Sequence, residues 1–232
     1  MKVTIKGKIT VLALILALAF TWTTAPALAA TLTVKKTGAT YSTIGEAVAA
    51  AASGSVIEIA DSEVYAESVT VPTAGLTIQA AAGVTPTIEV DANTACIAYT
   101  ATGGALTVKD LILKGGYAFF VDEGYGDISI QHCLMIGIAS NKYTVSLKGS
   151  AGLTMADSLL INTGAAPAIM NGIGQVAISK STIVGNNTVW RLVDVIGASS
   201  GTITDCILAN LNSGYTDWLL VGNQNVAVSN ID

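Results

Sequence analysis

The chain has 232 residues, a formal net charge of −5 and a single arginine. An acidic chain with so little arginine is poorly suited to nucleic acid, and it repels an anionic polysaccharide unless a cation bridges the two. Charged residues make up only 12% of the whole, and the abundance of Ala, Thr, Ser, Val, Ile and Gly suits stacked strands with small turn residues.

The first 29 residues read as an export signal. Lys2, Lys6 and Lys8 form a basic start, residues 9–20 an apolar run, and Ala27-Leu28-Ala29 a small-residue cleavage site. The apolar run is too short to span a bilayer; an uncleaved membrane tether is the alternative. Residues 30–232 then form one domain. It carries eight basic residues against all sixteen acids, a formal charge of −8.

Residues 31–34 suit a short strand. Thr43-Ile-Gly-Glu46 has the spacing of a capping box, and Ile44, Ala47, Val48 and Ala51 follow at helical spacing until Gly54. The sequence predicts a short helix over residues 43–52 that covers the open end of a core. Val56-Ile-Glu-Ile59, Val69-Thr-Val71, Leu76-Thr-Ile78 and Thr87-Ile-Glu-Val90 follow as strands separated by Gly, Pro, Asp and Ala.

A repeat then takes over. Leu106-Thr-Val-Lys-Asp110-Leu-Ile-Leu113 alternates apolar and polar, breaks at Asp110 and resumes. The pattern returns with its break at His132, Asp157, Lys180, Asp205 and Asn230, in steps of 22, 25, 23, 25 and 25 residues. A period near 24 built from short alternating runs specifies a solenoid of strands. Leu106, Ile128, Leu153 and Val176 should form one buried row. From Cys96 onward each turn should hold three strands. The strand before the template is expected to point inward at Ile97/Tyr99, Phe119/Val121, Val145/Leu147, Ala168/Met170, Val193/Val195 and Trp218/Leu220. Ala98, Phe120, Ser146, Ile169, Asp194 and Leu219 should then point outward. Cys133 and Cys206 share a template position three turns apart, about 14 Å at the usual strand spacing, beyond disulfide reach. Together with Cys96 they read as small buried residues.

The run Thr33-Val-Lys-Lys36, Tyr41-Ser-Thr-Ile-Gly-Glu-Ala-Val48, Ser55-Val-Ile-Glu-Ile59, Tyr65-Ala-Glu67 and Leu76-Thr-Ile-Gln79 resembles the opening of pectinesterase-type proteins. The later copies resemble the repeat of the pectin-lyase-like superfamily. The resemblance implies an all-β fold, a right-handed parallel β-helix with a short N-terminal capping helix; right-handed crossovers are also the general preference. In the family's Gly-x-Tyr-x-Glu motif, Tyr65 and Glu67 match while Glu63 stands in place of the glycine. That motif shapes the first turn, so it speaks for fold and not for catalysis. The paired aspartates, glutamine and arginine that a pectinesterase would need have no counterpart after Tyr117. Arg191 has no partner constellation for lyase chemistry.

Three groups remain as candidate sites. Asp110, His132 and Asp157 would stack about 5 Å apart as a catalytic or metal cluster with the single histidine as base or ligand. A ladder of turn residues is the favoured reading, because a one-residue bend requires left-handed backbone, which Asn and Asp tolerate. Asp122, Glu123 and Asp127 gather carboxylates that could hold Ca2+, although no known calcium-loop spacing is present and a solvated loop is favoured. Glu58, Asp61, Glu63 and Glu67 read as plain surface. Tyr117, Tyr143, Trp190 and Tyr215 leave the coil at one corner, near Phe120, Ile169 and Leu219, where exposed rings could stack on sugars.

The expected function is an exported, non-catalytic surface or carbohydrate-associated module of a longer protein, with a polysaccharide or cell-envelope glycan as partner and no nucleic acid. The alternative is a polysaccharide lyase, esterase or hydrolase with its active residues beyond Asp232 or in the Asp110-His132-Asp157 column. Because residues 226–231 repeat the template without completing a turn, that end is expected to carry further turns or a partner subunit, and to self-associate when bare.

Overall fold

The computed structural model describes residues 28–186, 192–195, 200–211, 220–221 and 226–232. Its strands wind into a right-handed parallel β-helix of about seven turns. Each turn contributes one strand to each of three faces, and every strand pair is parallel. The turn that starts the regular repeat shows the plan. Ala105–Lys109 lies on the first face, Ile112–Gly115 on the second and Tyr117–Val121 on the third. Three strands per turn begin earlier than the repeat, with Val56–Ile59, Val64–Tyr65 and Val69–Val71.

Alternation sets what the first face buries. Leu106, Ile128, Leu153 and Val176 are in register and no more than 2% exposed, as the periodicity requires. Every template break is a bend in left-handed backbone. Asp110, His132, Asp157, Lys180, Asp205 and Asn230 are the described non-glycine residues at positive φ, all between 47° and 58°. One left-handed residue reverses the inward–outward alternation and turns the chain onto the second face. At Asp205 the strand Gly201–Asn210 continues through the bend and joins the first and second faces into one fifteen-stranded sheet.

After the four bends from His132 to Asp205 the next residue points inward and is small, whereas Leu111 follows Asp110 and Ile231 follows Asn230. Cys133, Ser158, Ser181 and Cys206 are all buried, and each donates its S–H or O–H across the bend to the carbonyl two residues earlier, at 3.3, 2.7, 2.8 and 3.1 Å. Cysteine and serine exchange here because both are compact donors. All three cysteines are free and buried. Burial pushes the Cys96 thiol up to about 12 and the Cys133 thiol up to about 11, so neither is a thiolate near neutral pH.

The first turns carry the cap. The helix spans Ile44–Ala50, shorter than the 43–52 expected, with the Thr43–Glu46 capping box formed. Amides donated by Ser42 and Thr43, with the Thr43 hydroxyl, hold the Glu46 carboxyl below its ordinary 4.5. Asp61 and Glu67 correct the plain-surface expectation. Glu67 reaches back one turn to accept from the Ile44 and Gly45 amides at 2.8 and 3.0 Å, the free donors of the helix start. Asp61 accepts from the Lys36 amide and the buried Tyr65 hydroxyl, both at 2.8 Å. Burial works against the Asp61 charge, but these bonds outweigh it and hold the carboxyl below its ordinary value. Of the two matching residues, Glu67 therefore ties the helix to the coil, and Tyr65 braces the Asp61 carboxylate that holds the Lys36 amide. Surface carboxylates and structural ones look alike until the stacking of turns gives them partners.

The third face departs from the expected register at two levels. Val145 pairs with Ile169 and Leu147 with Asn171, so Ile169 and Asn171 point inward and Met170 outward, one residue away from the expected Ala168/Met170. Ile169 is fully buried and no part of the outer surface. Ala168, Ile169 and Met170 are consecutive apolar residues, so no alternation distinguishes the two registers. Leu220 pairs in register with Val193, where Trp218 was expected. Trp218 and Leu219 lie outside the described residues.

Candidate functional site

On the third face, Ala98, Phe120, Ser146, Met170 and Asp194 form the outward row. Ser146 and Asp194 are buried although they point out of the coil. Phe120 is only partly covered, and so is Tyr117 three residues before it. Gly116 lets the chain turn this corner closely: a Cβ there would run into the Ala92 carbonyl. Tyr117 then meets Phe120 edge to face, with ring centres 5.3 Å apart. Two ammonium groups sit over these rings. Lys142 Nζ lies 5.0 Å from the Tyr117 ring centre and donates to the Asn93 carbonyl at 3.0 Å. Lys148 Nζ lies 5.2 Å from the Phe120 ring centre and 3.2 Å from Asp122 Oδ1. Cation–ring contacts of this kind contribute about 0.5–1 kcal/mol each at exposed positions. The result is a partly exposed aromatic pair held in place and edged by two N–H donors. Tyr143 is half-buried one level on. Trp190 and Tyr215, the other aromatic candidates, lie outside the described residues, as does Arg191.

The Asp110, His132 and Asp157 side chains stack along the first bend column. His132 Nδ1 is 3.8 Å from Asp110 Oδ1, and its Nε2 is 4.0 Å from Asp157 Oδ2. Both separations exceed a hydrogen bond, and the three side chains are 44–62% exposed. A surface depression of about 500 Å³, bordered by Ala80, Val84 and Thr85, adjoins Asp110 and His132. Further along the column Asn230 Nδ2 donates to Asp205 Oδ1 at 2.8 Å, the amide–carboxylate version of the same stacking.

Two of the calcium candidates, Asp122 and Asp127, point to separate protein partners. Asp122 faces Lys148, whose ammonium holds its carboxyl below the ordinary value. Asp127 Oδ1 accepts from the Gly152 amide at 2.7 Å. Calcium at Asp122 would have to displace the Lys148 ammonium. No cluster of three metal-ligating side chains is found among the described residues.

Sequence reasoning found the rings and missed the lysines. The signal was available: Leu147 stacks on Val121, so Lys148 must fall beside Asp122.

Three parallel faces and a helix at their start define the class, a right-handed parallel β-helix. No protein-family model matches the chain, and no curated protein matches it. Among solved structures, the pectin methylesterase of Aspergillus niger is similar over 89% of this chain and 86% of its own, with a TM-score of 0.49 and 18% identity.

Proposed function

We propose that this protein is an exported, non-catalytic β-helix that binds a polysaccharide or cell-envelope glycan on its third face. The observation that carries this reading is the Tyr117–Phe120 pair with Lys142 and Lys148 beside its rings. Flat, partly exposed rings offer apolar area to a sugar face at small entropic cost, and ammonium groups donate to its hydroxyl or carboxylate oxygens. The bend column supports the non-catalytic part. Lysine and asparagine take the same left-handed backbone as the aspartates and His132, so the shared requirement at those positions is conformational.

Titration with neutral and uronic-acid oligosaccharides, with and without Ca2+, tests the proposal. Tyr117→Ala is expected to weaken the best-bound glycan about tenfold, a loss near 1.4 kcal/mol, with the fold retained and the melting temperature lowered by only a few degrees from the lost ring contacts. Equal affinity of wild type and variant, or no glycan bound by wild type, contradicts it. The second reading, a polysaccharide lyase, esterase or hydrolase acting at Asp110, His132 and Asp157, draws on the depression beside His132.

A further inference from the structure

The second face presents an outer surface unlike the other two. Its outward rows are set by the strand register. Ile112, Leu134, Leu159, Thr182 and Ile207 form one, and Lys114, Ile136, Ile161, Val184 and Ala209 the other. Leu159 is 37% and Ile207 49% exposed. Lys114 is the one charged side chain in the two rows, and it is paired with Glu89 at 2.7 Å at the N-terminal edge. On the first face the equivalent outward positions hold Thr107, Ser129, Thr154, Lys109 and Gln131. Solvent-facing strands that alternate aliphatic with aliphatic across five levels break the usual inside-apolar, outside-polar pattern.

We infer that this face is where a second copy of the chain docks, sheet against sheet. The surface chemistry selects that occupant. The rows contain no ring for a sugar to stack on, and the single ammonium beside them is already paired, which disfavours an anionic lipid surface in a chain of net charge −5. Inner strands have their backbone groups paired on both sides, so a peptide strand cannot be added there. A flat aliphatic sheet fits another flat aliphatic sheet, packed about 10 Å away as in a β-sandwich.

Size and charge agree with that arrangement. Five strands about 4.8 Å apart and four residues long give a footprint of roughly 24 by 13 Å, or about 300 Å², before side-chain relief is added. A standard interface takes about 800 Å² per partner with just over half of it apolar, so the patch is of the order of the apolar centre of one. Parallel coil axes would bring Lys114 of each copy together. Antiparallel axes put the two Lys114 side chains at opposite ends, each beside the uncharged Ala209 level of the other copy, with the Leu159 levels meeting at the two-fold axis. This inference goes beyond the glycan reading and does not depend on it, because the aromatic pair lies on the third face.

Sedimentation equilibrium of the full-length chain at up to about 100 μM tests it. Wild type is expected to be a dimer. Leu159→Lys places a lysine from each copy at the axis and should weaken association at least about 100-fold, while Thr154→Lys on the first face leaves it intact. Leu159→Gln adds no charge and should weaken it less; it keeps the test decisive if the lysine variant does not fold. A wild-type monomer overturns the inference, and so does a dimer unaffected by both Leu159 variants. Co-pelleting of wild type with phosphatidylcholine vesicles, lost in Leu159→Lys, would assign the face to lipid and likewise overturn it.

Discussion

Ile128→Asp is expected to destabilise the protein by about 4–5 kcal/mol, because it buries a carboxylate with no partner. Ile128 is 1% exposed and lies between Leu106 and Leu153 in a row whose members are equally buried. The neighbouring Ser129 points the other way, so Ser129→Asp should change stability by less than about 0.5 kcal/mol. Chemical unfolding of the two variants beside wild type measures the contrast. Since a domain's whole stability is about 5–15 kcal/mol, the Ile128 variant should be visibly marginal. Equal unfolding midpoints for both variants would contradict the burial assigned to the row.

The second large effect is expected at Asn162, where Asn162→Ala should lose about 2–3 kcal/mol. Its side chain is 1% exposed and pins the loop that follows it. The Nδ2 group donates to the Ala166 and Pro167 carbonyls at 2.9 and 3.0 Å, and Oδ1 accepts from the Gly164 amide at 2.9 Å. Gly164 is pressed against the preceding turn so closely that a Cβ would strike the Ala139 carbonyl. Removing the amide leaves these backbone groups without partners in a place water does not reach freely. Thermal unfolding gives the magnitude. A variant as stable as wild type would mean that the loop is held by its packing alone.

The same residue explains part of what the sequence did and did not disclose. The first face was legible because its strands alternate strictly and because each break is chemically conspicuous between apolar neighbours. The third face was not legible at the Ile169 level. Ala168-Ile-Met170 offers three apolar residues in a row, and the loop pinned by Asn162 sets where the strand begins. Asn171 then occupies an inward position that a period-2 rule assigns to an apolar residue; its Nδ2 donates to the Gly174 carbonyl at 2.9 Å. The bends made cysteine look like an apolar filler when it is a donor equivalent to Ser158 and Ser181. In the candidate site, residue type showed Tyr117 and Phe120, but Lys142 and Lys148 reach them from the following turn. Contacts between turns follow from register, and register is what a local pattern fixes least firmly where loops vary in length.

In the proposed function the bend column serves conformation and the aromatic pair binds the glycan. Substitution at His132, with φ of 51°, separates the two most directly. His132→Asn should retain wild-type stability and any glycan-directed activity, because asparagine tolerates left-handed backbone. His132→Val should lose about 1–2 kcal/mol of stability, because a β-branched residue does not tolerate it, while glycan affinity stays the same. A loss of activity beyond about tenfold in a folded His132→Asn protein would contradict the claim and make Asp110, His132 and Asp157 a catalytic site.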